Sequence, residues 1–422
     1  MSGPWAIPFH ERAGLTEGAL LKGGAALSWG TRYEGWGRAG RTWLQCHHQP
    51  FEAIGGVGLQ HVLTRLGLPL QPLLLPAAAA AAGRFAHPSP DPKSPLSRVE
   101  YGYRFDPADL TAAFAAARAA HAVEVIDSAE LTVSTGEHGI DAVTLASGTV
   151  LRADLFVDAG GTDRRLSGVL AAGWDGGRRV VLRNERTDRQ EGNGPCRRVA
   201  GRVDGWVSST PLPGGALRTT LSAEGGPGDA PGVFATLGRA REAWTGNCVA
   251  VGHAAAVLDP LTAAPLSLLY RDAERLASLV PLGSEQSVER REYNRLFADD
   301  AAHAALFTSA FYAGVDHEPT AFWQEAAMSP PEALTRKLAQ FESRGVLVAY
   351  DLEPFNAEDW LILHEGIGRT PRRYDRLADA LPDAKVRQDL DARRAAIAQL
   401  AQTMPPADRY RARYLDYLEQ NP

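Results

Sequence analysis

Ala153-Asp154-Leu155-Phe156-Val157-Asp158-Ala159-Gly160-Gly161 reads as a buried strand that stops at a glycine pair. An apolar run of this length, bounded by turn residues, suits a strand covered on both faces. Upstream, Ala142 to Ala146, a Ser147-Gly148 turn and Thr149 to Leu151 form a hairpin pattern. Val123 to Ile126 and Leu131 to Val133 read as further strands. Before them, Asp106 caps a helix with Pro107 in its first turn, and the alanine-rich pattern runs to about Ala122. Downstream, Asn247-Cys248-Val249-Ala250-Val251-Gly252 repeats the strand-then-glycine pattern, and a helix follows Asp259-Pro260 through Leu266 to Leu276. A helix feeding strands that end in glycine is the grammar of an α/β nucleotide fold.

The flanks fill in the rest. Glu17 to Leu27 predicts a short helix. Val62 to Leu75 is largely apolar and leads into Pro76 and six alanines, Ala77 to Ala82. The prolines between His87 and Pro95 exclude helix and ladder pairing and predict an exposed, polyproline-like excursion. Residues 180–230, with a strand at Leu217 to Ser222, suit an antiparallel sheet over a ligand site. From 286 onward the chain reads as helical, with a break at Met404-Pro405-Pro406. Two regions are expected: an α/β region over 1–285, with its inserted sheet at about 165–235, and a helical region over 286–422.

Composition narrows the function. A net charge of −6 lacks the basic surface that non-specific nucleic-acid binding needs. Cys46, Cys196 and Cys248 are odd in number and widely spaced, which argues against a disulfide framework or a zinc site. No apolar run approaches the roughly 18 residues of a membrane span, and the first residues carry no secretory pattern, so a cytoplasmic location is expected. His47 and His48 are adjacent and would face opposite ways on a strand, so no metal site is expected.

A dinucleotide fold normally opens with a strand, a G-x-G-x-x-G turn and a helix, which together cradle a pyrophosphate. Gly55-Gly56-Val57-Gly58 is the nearest cluster; it lacks the spacing and follows no strand, and Gly23-Gly24 is no better. Asp158 to Gly161 and Val249 to Gly252 resemble later elements of a flavin-binding fold, and that resemblance implies an incomplete flavin-monooxygenase-like (FAD/NAD(P)-binding-like) α/β fold lacking the first βαβ unit.

Six segments, in order, resemble the flavin-dependent tryptophan halogenases. They are Ala25 to Trp36, Gly83 to Ala86 with Ser94 to Asp106, Ala153 to Gly160, Asn247 to Gly252, Asp259-Pro260-Leu261, and Trp360 to Gly368 with Pro371-Arg372-Arg373-Tyr374. The resemblance implies a chemistry in which reduced FAD and oxygen convert halide to hypohalous acid. A lysine then captures or orients that acid, and a glutamate stabilises the cationic arene.

Position by position, the resemblance puts these groups in doubt. The family lysine falls on Ser28, and none of the four lysines (Lys22, Lys93, Lys337, Lys385) fits the pattern. The family glutamate falls on Thr262, a group without charge at neutral pH. Ala263 and Ala264 stand at the halide-site positions, and Pro265 replaces a glycine. The W-x-W-x-I-P signature reads Trp206 to Pro211, with Ser208 at the second tryptophan. No catalytic residue is expected. Asp158, Gly160, Gly161 and Gly252 are the remnant cofactor positions; Trp206 and Pro211 are the pocket positions. FAD binding is expected to be weak or absent.

The reading is thus a non-catalytic halogenase-like chain, an oligomer that partners a full-length halogenase-like subunit, with an aromatic small molecule as a candidate ligand. The alternative is an active flavin halogenase or monooxygenase acting on an indole or other aromatic with altered residues. Arg178-Arg179, Arg197-Arg198 and Arg372-Arg373 are expected to be solvated pairs or helix-end partners, and His253 a partly exposed turn histidine. Phe307, Phe311, Tyr312 and Phe322 fit either a remnant pocket or ordinary core.

Overall fold

A computed structural model describes residues 1–170, 172–188, 194–224, 232–281, 283, 286–316, 320–327 and 331–421. The expected boundary at 285, and parts of the expected inserted sheet, lie outside these residues. The chain divides into two compact units.

The first unit comprises Met1–Ala117, Leu182–Gly232 and Ser309–Pro422. Its sheet runs in the order Gly215–Ala223, Gly205–Leu212, Arg197–Arg202, Thr31–Glu34, Trp43–Gln45. All neighbours are antiparallel except Arg197–Arg202 beside Thr31–Glu34. Along Gly205–Leu212 the buried positions alternate, with Trp206, Ser208, Thr210 and Leu212 sharing one face. Pro211 pairs with Ala216 and lies beyond the last residue paired to the Arg197–Arg202 strand, so its missing N–H breaks no ladder bond there. Trp29, Trp36 and Trp206 are almost wholly buried. Trp36 donates to the Phe311 carbonyl and Trp43 to the Trp36 carbonyl, both at 2.8 Å, so the apolar rings carry no orphaned N–H.

The expected helix over Glu17 to Leu27 is shorter. Thr16 caps it, it spans Glu17–Lys22, and Ala26–Ser28 is instead a strand paired with Gly102–Arg104. All three strand residues are buried, a burial that overrides the alanine-rich local preference. The alanine run forms the helix Leu75–Ala81, with Pro76 in its first turn. Asp106 caps Pro107–Arg118 through a 3.0 Å bond from the Ala108 N–H. The proline stretch is not wholly an exposed excursion. His87 is partly buried, with Nδ1 2.7 Å from the Tyr410 hydroxyl and Nε2 3.2 Å from Glu17, which also accepts from Tyr101 at 2.8 Å. The late break at 404–406 separates Asp383–Thr403 from Ala407–Gln420.

The second unit comprises Arg118–Val181 and Val233–Thr308. Leu131–Gly136, Gly139–Leu145 and Val150–Leu151 form an antiparallel meander. Phe156–Asp158 lies parallel to Cys248–Ala250, which pairs on its other side with Trp244–Thr245. Cys248–Ala250 is buried throughout. Phe156 packs against Ile140, Val143 and Leu145, while Val249, Trp244, Tyr293 and Phe297 belong to a second cluster.

Two readings are corrected here. Val123 to Ile126 is not a strand; Val123, Val125 and Ile126 are 56%, 54% and 44% exposed. Phe156–Asp158 is an edge strand among the described residues, and Val157 is 44% exposed although its register partner Val249 is fully buried. Val123 to Ile126 has the residue preferences of a strand but no hydrogen-bonded neighbour among the described residues, and Phe156–Asp158 has one on one side only.

The helix Ala264–Ser278 carries a buried charge cluster. Arg271 holds Asp300 through two bonds of 3.0 and 2.8 Å, and Arg275 reaches both Asp300 and Asp272. Burial pushes the Asp272 carboxyl from 3.8 up to about 7 against the pull of Arg275. Its folded-state value is thus above its unfolded one, so its contribution to stability is full below 3.8 and is lost as pH rises through 7. Burial raises Glu365, in the first unit, to about 7 as well, with the same sign. That loss spans about pH 4 to pH 7, so over this window the urea midpoint of Asp272→Asn with Glu365→Gln should gain on the parent's, changing the slope of midpoint against pH. An unchanged slope in the double variant would refute the assignment.

Candidate functional site

The structure brings the four remnant cofactor positions together at the carboxyl ends of the parallel strands. The Val251 N–H donates to the Asp158 carbonyl at 2.9 Å, and the turns at Gly161–Asp163 and Gly252–Ala254 are neighbours. Open α/β sheets bind ligands at this end. Asp158, however, is buried and engaged by its own loop. It accepts from the Gly160 N–H at 2.9 Å, the Leu166 N–H at 3.1 Å, the Ser167 N–H at 2.7 Å and the Ser167 hydroxyl at 2.8 Å. Four donors on one carboxylate describe a loop clasp rather than a group waiting for a ribose. Gly252 has φ +59°, which explains glycine there, and the adjoining His253 is exposed at the turn.

Thr262, Ala263 and Ala264 open the helix Ala264–Ser278. The Thr262 hydroxyl accepts from the Ala264 N–H at 3.2 Å and lies 3.1 Å from the Thr308 hydroxyl. It acts as a local turn cap. Pro265 falls in the first helical turn, where a backbone N–H has no intrahelical partner, so the donor it removes costs the helix nothing. Thr262 itself carries no carboxylate; Asp259, three residues earlier, accepts from the Leu261 N–H at 3.0 Å and pairs with Arg178.

In the first unit Ser28 is 1% exposed. Its hydroxyl donates to the Gly30 carbonyl at 3.3 Å and accepts from the Gly30 N–H at 3.2 Å. Gly30 has φ +138°, and a Cβ there would lie 2.1 Å from the Gln45 carbonyl oxygen. Ser28 is therefore the clasp of a tight turn at the end of its strand.

Trp206 donates its N–H to the Tyr312 hydroxyl at 3.0 Å. The Arg197 guanidinium lies 5.3 Å from the Trp206 ring centre and donates to the Ser208 hydroxyl at 3.0 Å. Trp206 and Ser208 share a strand face, so the arginine takes the volume that a second tryptophan at 208 would occupy. Arg197 is 6% exposed, which corrects the expectation of a solvated pair; Arg198 instead holds Glu34 through two bonds of 2.9 and 3.0 Å. Arg178 likewise pairs with buried Asp259 at 2.8 Å. The alternating strand pattern marks position 208 as inward-facing, but nothing in the sequence says that Arg197 fills the space above it. Phe307, Phe311, Tyr312 and Phe322 are all at least 96% buried and pack as core.

His47 approaches Asp359 at 3.5 Å and His48 contacts the Gln49 carbonyl at 2.6 Å. Among the described residues, no group of three or more His, Cys, Asp or Glu side chains could hold a metal ion. No described helix is long and apolar enough to cross a membrane.

The tryptophan halogenase family profile matches residues 4–219 and 225–383. The chain belongs to the tryptophan halogenase family. It is 23% identical to a tryptophan 6-halogenase of Streptomyces toxytricini over 51% of this chain, and 24% identical to a 7-chloro-L-tryptophan 6-halogenase of Kutzneria sp. (strain 744) over 75%. Those alignments span 46% and 68% of the two relatives. A flavin-dependent halogenase from Brevundimonas sp. BAL3 superposes with a TM-score of 0.89 at 25% identity, covering 97% of this chain and 90% of that one. A flavin-dependent halogenase from Xanthomonas campestris gives 0.87 at 22% identity, covering 98% and 89%. The fold is thus the α/β fold of flavin-dependent halogenases.

The family implies a flavin. The residues present do not fit its pyrophosphate: Asp158 is engaged by its own loop, and no described strand runs through a G-x-G-x-x-G turn into a helix. Gly55 and Gly56 do adopt φ +57° and +81° and lead into the helix Leu59–Leu66, but they are the turn closed by a lone bridge between Ile54 and Val57 and follow no strand.

Proposed function

We propose that this chain is a non-catalytic member of the tryptophan halogenase family, an accessory partner to a full-length halogenase-like subunit. The observation that carries the reading is Ser28: at the family's lysine position stands a buried turn clasp. Thr262 as a helix-entrance cap and Arg197 packed against Trp206 support it. On this reading the fold lacks its first βαβ unit. The open edge at Phe156–Asp158 and the exposed Val123 to Ile126 segment are the places where strands of that unit would pair.

The deciding experiment supplies the purified chain with FAD, a flavin reductase, bromide and L-tryptophan or indole, and follows bromination by mass spectrometry. A visible spectrum is taken after incubation with FAD and desalting. The expected result is colourless protein and no brominated product. Retained flavin with halide-dependent product would overturn the proposal. For the partner role, co-purification with a full-length halogenase-like chain is expected; a stable, well-dispersed monomer at micromolar concentration would refute it.

The second reading, an active halogenase with altered residues, draws its support from the extent of the superposition on the Brevundimonas enzyme. It predicts the opposite result in the same assay.

A further inference from the structure

On the first unit's sheet, Arg32 and Glu34 occupy the partly buried positions of Thr31–Glu34, alternating with buried Thr31 and Tyr33. Beside Arg32 lies a cavity of about 290 Å³. Its walls are Trp43, Leu44, Pro72, Ala78 and Ala81, with Arg32 at one side. The alanine run makes the room: a helix of larger residues at 77–81 would fill this space. Gln71 also lines the cavity, and its amide is tied to the strand, accepting from the Leu44 N–H at 3.0 Å and donating to the Leu44 carbonyl at 3.1 Å. It fixes the wall.

The charges here do not balance. Glu34 is held bidentately by Arg198. Arg32 reaches the same carboxylate only at 3.4 Å, and its buried Nε makes no hydrogen bond. Two guanidiniums thus share one carboxylate, and no described residue lining the cavity carries a negative charge. An apolar cavity with one surplus arginine at its side matches a ligand with an apolar body and a single carboxylate.

We propose that this cavity binds a small carboxylic acid with an aromatic or branched apolar body, its carboxylate on Arg32 and its body against Trp43 and Ala78. The site is separate from Ser28, Trp206 and the glycine turns, and it stands whether or not the chain is catalytic.

The test uses the full chain and two probes, 4-fluorophenylacetate and 4-fluorophenylacetamide, followed by fluorine NMR line broadening and thermal shift. They match in size and differ in charge. The acid should bind at least about tenfold more tightly than the amide, the order of one charge-assisted pair. Arg32→Gln should erase that preference. It should leave the fold intact, because Glu34 keeps Arg198. Ala78→Phe should abolish binding of both probes, and Ala81→Phe serves if Ala78→Phe unfolds the chain. Equal binding of the two probes, no binding of either, or an acid preference that survives in Arg32→Gln would each overturn the proposal.

Discussion

Lys337→Met is expected to destabilise the protein by about 3–5 kcal/mol. Lys337 and Glu353 side chains are each 2% exposed and meet at 2.6 Å. The ammonium also bonds the Val348 carbonyl and sits 4.5 Å from the Tyr350 ring centre and 4.3 Å from that of Trp360. Glu353 is equally occupied, accepting from the Tyr350 N–H at 3.0 Å and the Trp360 indole at 2.7 Å. Together these bonds pin the 345–353 segment onto the helices Glu332–Arg344 and Ala357–Ile367. Removing the lysine leaves a carboxylate buried without its cation, which is where most of the cost lies. The double variant Lys337→Met, Glu353→Gln should recover part of the loss, since its remaining amide still accepts from Trp360. Urea unfolding of the two variants measures the difference. A single variant within about 1 kcal/mol of the parent would show that the pair contributes little.

That cluster also shows where a sequence stops being informative. The scarcity of lysine draws the eye to Lys337, but its spacing names no partner; Glu353 and Trp360 become neighbours only when the chain folds back at Gly345, where φ is +70°. Local signals fared better. Asp106-Pro107 marks a helix start, Ser147-Gly148 a hairpin, and Asn247 to Gly252 a buried strand, because each depends on residues within a few positions. Readings that needed a distant partner failed. Val123 to Ile126 has strand residues without a neighbour to pair with. Ala26 and Leu27 read as helix and are held as strand by Arg104 and Tyr103. Arg197 reads as a solvated arginine and packs on Trp206. The candidate site follows the same division: Ser28, Thr262 and Ser208 could be found from sequence as departures from a pattern, whereas what each does instead is a matter of three-dimensional neighbours.

Ser28→Lys, which places at this position the lysine that the resemblance implies, is expected to give no halogenation and to cost at least about 3 kcal/mol of stability. The strand position is closed on every described side. Gly102 opposes Ser28 in register, and a Cβ on Gly102 would already lie 2.1 Å from the Ser2 carbonyl oxygen. The serine hydroxyl bonds at Gly30 would be lost, leaving that turn's N–H and carbonyl to find other partners. A new ammonium would also be buried on the strand that carries Arg104's contact: Arg104, itself 5% exposed, donates to the Leu27 carbonyl at 3.1 Å, and burial has already lowered its pKa to about 10. Like charges so placed repel, and among the described residues no carboxylate bonds Arg104 to absorb the addition. Adding Thr262→Glu, so that both family residues are present, should still yield no brominated indole in the reductase-coupled assay. The outcome that would sink this argument is a folded Ser28→Lys, Thr262→Glu chain that brominates. It would mean that the Ser28 position opens onto a reaction space, and that two substitutions alone separate this chain from a working halogenase.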